Sequence, residues 1–65
     1  MLKIKDITEL QKKWNDLKQN HQMTKKAICD LCIPFRDKFG LTDILTLKLA
    51  RNELSLIEID KLLEE

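Results

Sequence analysis

The chain has 65 residues, 43% of them apolar and 35% charged, with 12 Lys/Arg against 11 Asp/Glu for a net charge of +1. This length allows one domain at most and a small core, and the near-neutral charge argues against the strongly basic footprint of a dedicated nucleic-acid binder. One Gly, one Pro, no Tyr and an abundance of helix formers argue against low complexity and for a single all-α domain over residues 1–65, a compact bundle of about four short helices.

Met1 to Lys5 lacks the hydrophobic region of a signal peptide, and no apolar run approaches the ~20 residues of a membrane span. The expectation is a cytoplasmic protein with reduced thiols. Asp6 is a suitable N-cap, with Glu9 three residues later completing a capping-box pattern. Ile7, Leu10, Trp14 and Leu17 then follow at helical spacing, while Lys12, Lys13, Asn15, Asp16 and Lys18 occupy other faces. The pattern predicts helix 1 from about residue 6 to about residue 20, with His21 on the same stripe if the helix persists.

Thr24 is a fair N-cap for helix 2, whose apolar residues Ile28, Leu31, Cys32, Phe35 and Phe39 fall within an arc of roughly 80°. Pro34 lies inside that stripe. A proline removes the backbone hydrogen bond to the carbonyl four residues earlier, that of Asp30, and kinks or ends a helix. The unbroken stripe favours one kinked helix reaching Phe39; the alternative is two short helices with Pro34 at the first position of the second. Gly40 is the natural stop in both cases.

Thr42 caps helix 3, with Asp43 in its first turn. Ile44, Leu45, Leu47, Leu49 and Ala50 point nearly all round the wheel, which predicts a central, buried helix. It runs down near Arg51 to Glu53. Ser55 then caps helix 4, with Glu58 in the capping-box position. Leu56, Ile59, Leu62 and Leu63 form its core stripe, and Ile57 points away beside Lys61 and Glu64.

Cys29-Asp30-Leu31-Cys32 is a C-x-x-C, the spacing of disulfide oxidoreductases and of zinc sites. A zinc site takes four N, S or O ligands, and this chain offers two cysteines and one histidine. Redox work places such a pair at a helix N-terminus after a strand, whereas this pair falls inside a predicted helix. The expectation is packing: Cys32 a small core residue, Cys29 a half-buried edge residue. No nucleophile is spaced to use His21 as a base, and a cation suits the C-terminus of helix 1. Glu58, Asp60, Glu64 and Glu65 could bind a cation or mimic nucleic-acid charge, but such a run is ordinarily a solvated face. Lys12, Lys13, Lys18, Lys25 and Lys26 could meet phosphate, in numbers ordinary for soluble helices.

The stretch "LKLARNELSLIEIDKLLEE" resembles a helix-turn-helix, the DNA-reading unit of many small bacterial repressors. Leu49-Ala50 matches the apolar-Ala pair of the first helix, and Ser55 opens a second helix ending in Ile59 and Leu62-Leu63. The resemblance covers about 19 residues and implies that the second helix is the recognition helix of a transcriptional regulator. Leu54 stands where the motif usually has Gly, and Glu53 where it has an apolar residue. The second helix presents Glu58 and Asp60, where base edges are normally met by Arg, Lys, Asn or Gln.

With no nucleophile–base pair, phosphate loop or full metal-ligand set, the expectation is neither an enzyme nor a metal or cofactor binder. Leu54, Ile57 and one edge of helix 3 are the expected exposed apolar surface, and such a patch marks an interaction site. Leu54, Ile57 and Lys61 are the candidate partner-binding residues. The function expected first is a stoichiometric protein-binding regulator or inhibitor, its partner another protein or a second copy in a homodimer. A helix-turn-helix DNA-binding regulator comes second, and a zinc-bridged or redox protein third.

Overall fold

A computed structural model describes residues 2–63, which form α1 (Ile4–Gln19), α2 (Lys25–Phe39), α3 (Asp43–Ala50) and α4 (Leu56–Leu63). The fold is all-α, and α3 packs against both α1 and α2, which also pack on each other.

α1 begins two residues before the expected start. Asp6 is not its N-cap. Its carboxylate reaches back from the third helical position to accept the Lys3 N–H at 3.0 Å, the acidic half of a capping box. Leu2, just ahead, is buried and pins the entry of the chain. Glu9 pairs instead with Lys13 at 3.6 Å along the exposed helix face, a contact of little energetic weight. The other caps fall where the sequence places them. Thr24 Oγ1 accepts the Ala27 N–H and Thr42 Oγ1 the Leu45 N–H, both at 3.1 Å. Ser55 and Glu58 form the reciprocal box, with Ser55 Oγ accepting the Glu58 N–H at 3.2 Å and the Glu58 carboxylate accepting the Ser55 N–H at 3.3 Å. α2 runs unbroken through Pro34 to Phe39, so the proline does not end the helix.

Three helices end by the same device. His21 (φ 55°), Gly40 (φ 65°) and Asn52 (φ 57°) are left-handed. The residue after each sends its N–H back to the last turn: Gln22 to the Leu17 carbonyl at 2.8 Å, Leu41 to Arg36 at 3.0 Å and Glu53 to Lys48 at 2.8 Å. These are Schellman closures. Gly adopts the left-handed conformation without steric penalty and Asn tolerates it, whereas His pays more. His21 is therefore off the α1 stripe and exposed. Replacement His21→Gly is expected to raise stability by about 0.5–1 kcal/mol, readable as a higher urea midpoint with unchanged slope.

The core is built where α1, α2 and α3 meet. Leu2, Ile7, Leu10, Leu49, Ala50 and Leu54 are buried together, and Trp14, Leu31, Phe35, Phe39, Leu45, Ile59, Leu62 and Leu63 pack round them. Leu49 is 0% exposed. Phe35 and Phe39 meet at a centroid distance of 4.7 Å with rings tilted by 54°, a favourable aromatic geometry. Thr46, the one buried polar residue among those described, donates its hydroxyl to the Thr42 carbonyl at 2.9 Å, so its burial leaves no hydrogen-bonding group unmet. Gln11 ties α1 to α3 by donating from Nε2 to the Leu49 carbonyl at 3.1 Å. Arg36 joins α2 to α3 by bridging Asp37 and Asp43. α3 is central as expected, yet Ile44 on its outer side is exposed, the expected apolar edge of that helix.

α4 is held more lightly. None of its residues is fully buried, and Ile59, Leu62 and Leu63 supply its inner face. No helix among the described residues is long and apolar enough to cross a membrane.

Candidate protein-docking face

The chain leaves α3 through the left-handed turn at Asn52 and swings back before α4 begins. That reversal drives Leu54 into the core, where it is 8% exposed against Leu49 and Ala50. Leu54 is thus a core residue and not part of the exposed apolar surface expected of it. Two residues later the chain is at the rim. Leu56 is 79% exposed and Ile57 70%. The helical spacing puts Leu56 in the core stripe of α4, and the structure does not. It has the right angle on the helix wheel for that stripe, but as the first residue of the helix it projects beyond the edge of the core.

Ile57 lies where the wheel puts it, on the side away from Ile59, Leu62 and Leu63. Lys61, one turn on, is exposed on the same side. It also rims a hollow with Leu2, Phe39, Leu41, Leu45 and Leu62, where α4 meets the end of α2. Asp60 is exposed and follows Leu56 by four residues and Ile57 by three, so it borders the aliphatic pair. Glu58 is exposed but engaged by its capping box with Ser55. Glu64, the other expected neighbour of Ile57, and Glu65, the rest of the acidic cluster, lie outside the described residues. The start of α4 therefore presents two large aliphatic side chains, Leu56 at the rim and Ile57 on the outer face, edged by Asp60 and Lys61, on a helix whose inner face is already used.

A second apolar surface lies on the opposite flank of α3. Ile28, Cys29, Cys32 and Ile33 of α2 face Thr46 and Leu47 of α3 across a groove of about 260 Å³. Ile33 is 41% exposed there, and the Arg36–Asp43 pair closes one end. Ile28 and Cys32 belong to the α2 stripe while Ile33 lies off it, so the wheel of α2 alone does not single out this surface.

Both cysteines are free thiols inside α2, Cys32 buried and Cys29 half-buried. Burial, and next the neighbouring Cys29, push the Cys32 thiol up from its ordinary value, which keeps it protonated and unreactive at neutral pH. Among the described residues no three of His, Cys, Asp and Glu converge as a metal-ligand set. Iodoacetamide is expected to alkylate Cys29 well before Cys32 in the folded protein, with both reacting equally in denaturant; peptide mass spectrometry reads the order.

Comparison with protein-family models, with curated proteins and with solved structures finds no match to this chain.

Proposed function

We propose that this protein is a non-enzymatic binding module that acts by stoichiometric association with another protein, as a small regulator or inhibitor. One observation carries the reading: adjacent Leu56 and Ile57 are 79% and 70% exposed, Leu56 overhanging the rim of the core and Ile57 on the outer side of a helix whose inner side packs on the core. Large aliphatic groups held in water at one place on so small a protein mark a surface that is covered in use. Their edge is polar, the composition of an interface rim. Replacing them costs the fold little, so their presence is better explained by association than by folding.

The DNA-binding reading draws on one feature, the pair of eight-residue helices α3 and α4 separated by a short turn. Against it stand Glu58 and Asp60, exposed on the helix that would enter the groove, because like charge repels phosphate and these carboxylates would meet the backbone at close range. The two readings separate in an affinity pull-down from lysate with and without nuclease. The binding module predicts a protein that stays on the bait after nuclease. Recovery of nucleic acid alone, lost on digestion, favours the DNA-binding regulator.

A further inference from the structure

We propose that the hollow between α4 and the end of α2 binds a free amphipathic carboxylate, an acyl chain of medium length with a single anionic head. The site is separate from the aliphatic pair at the start of α4, and only Lys61 borders both.

The floor of the hollow is apolar. Leu2, Phe39, Leu45 and Leu62 belong to the core and also line this space, which measures about 600 Å³. Packed interiors leave few spaces larger than a water molecule, whereas small-ligand sites run to about 300–1,000 Å³, with mostly apolar walls and a few polar groups. The space goes with the light hold on α4. None of the residues of that helix is fully buried, and its seam with Leu2 and the α2–α3 turn stays open.

The rim supplies the charge of the ligand. Lys38, in the last turn of α2, and Lys61 of α4 both border the hollow, and among the described residues no carboxylate does. Both lysines are exposed, and neither forms an ion pair among those residues. The acids of the adjoining segments are engaged elsewhere. Asp37 and Asp43 bridge Arg36, Asp6 caps α1, and Glu58 is held by Ser55. Glu9, which faces Lys38 on its α1 side, pairs with Lys13. The Lys38 ammonium lies 5.3 Å from the centroid of the Phe39 ring, which keeps one positive charge beside the apolar wall.

Neither half of such a ligand suffices alone. A purely apolar molecule in the hollow would strip water from two ammonium groups and give them no partner. A small anion would gain only exposed ion pairs, which carry little energy. A carboxylate on an acyl chain offers one oxygen to each ammonium and lays its methylenes on the leucine floor, where burial contributes about 0.8 kcal/mol for each.

Decanoate, kept below the concentration at which it forms micelles, is the probe. Calorimetry should show one molecule bound per chain, with a rise in melting temperature, and amide shifts in the NMR spectrum should centre on Gly40, Leu41, Leu45 and Leu62. Decanol, which has the chain without the charge, should bind about tenfold more weakly, the loss of one charge-assisted hydrogen bond. Acetate, which has the charge without the chain, should show no binding. The double variant Lys38→Gln with Lys61→Gln alters two exposed positions, so it should keep the wild-type circular dichroism and melting temperature while binding decanoate about tenfold more weakly. No heat and no melting shift with decanoate would overturn the proposal. So would equal affinity of the wild type and the double variant, which would leave the lysines as solvated covers of the hollow, or amide shifts centred away from it.

Discussion

Leu49→Ala is expected to remove about 3–5 kcal/mol of stability, the upper part of the range for a buried leucine. Leu49 is 0% exposed, at the point where α1 and α2 both meet α3. Truncation there deletes apolar contacts on several sides at once. The surrounding helices cannot collapse into the void, because each is fixed by its own caps and by the Gln11 contact to the Leu49 carbonyl. A chain of 65 residues has only about 3–10 kcal/mol in total at typical stability per residue. The variant should therefore lose most of its cooperative urea transition at 25 °C, as monitored by circular dichroism.

Ile57→Asp is expected to do the reverse: the fold survives and association is lost. At 70% exposure Ile57 gains little from the core, and a substitution at such a site changes stability by about 0.5 kcal/mol or less. The helix start also holds, since its cap is made by Ser55 and Glu58. A carboxylate introduced at the middle of an apolar contact, however, must shed its water without gaining a partner. Binding through this face should fall at least tenfold, a penalty of ~1.4 kcal/mol or more. Melting temperature and helical signal report the fold on the samples used for binding.

The contrast between Leu54 and Leu56 shows what the sequence does and does not disclose. The caps at Thr24, Thr42 and Ser55, the stop at Gly40 and the stripes of α1 and α2 are local matters of three- and four-residue spacing, and each is readable from the residues alone. Ile57 is readable for the same reason: its angle on α4 opposes the stripe. A wheel gives angle but not position along the axis, so Leu56 passes for a core residue although it overhangs the rim. Leu54 stands between helices, where no periodicity applies, and its burial depends on the reversal of the chain at Asn52. The exposed side of α3 was legible only as an unspecified edge, because a helix that is apolar all round leaves the choice of buried side to its neighbours. Ile44 became the exposed residue because α1 and α2 cover the other faces. The groove between α2 and α3 is a property of two helices at once and appears in neither pattern separately.

The candidate site was half legible on the same grounds. Ile57 and Lys61 are on the outer face of α4 as expected, Leu54 is inside, and Leu56 takes its place. What makes this a surface rather than an isolated exposed isoleucine is the adjacency of Leu56 and Ile57 at a helix start held rigid by a capping box.

The most direct measurement of the central claim is a quantitative pull-down after nuclease treatment, with wild-type and Ile57→Asp proteins as baits loaded at equal amounts of folded protein. The account predicts that the wild-type bait retains a protein partner and that the Ile57→Asp bait retains at least tenfold less of it, at an unchanged melting temperature. Equal retention by the two baits would contradict it, as would loss of retention accompanied by loss of the fold.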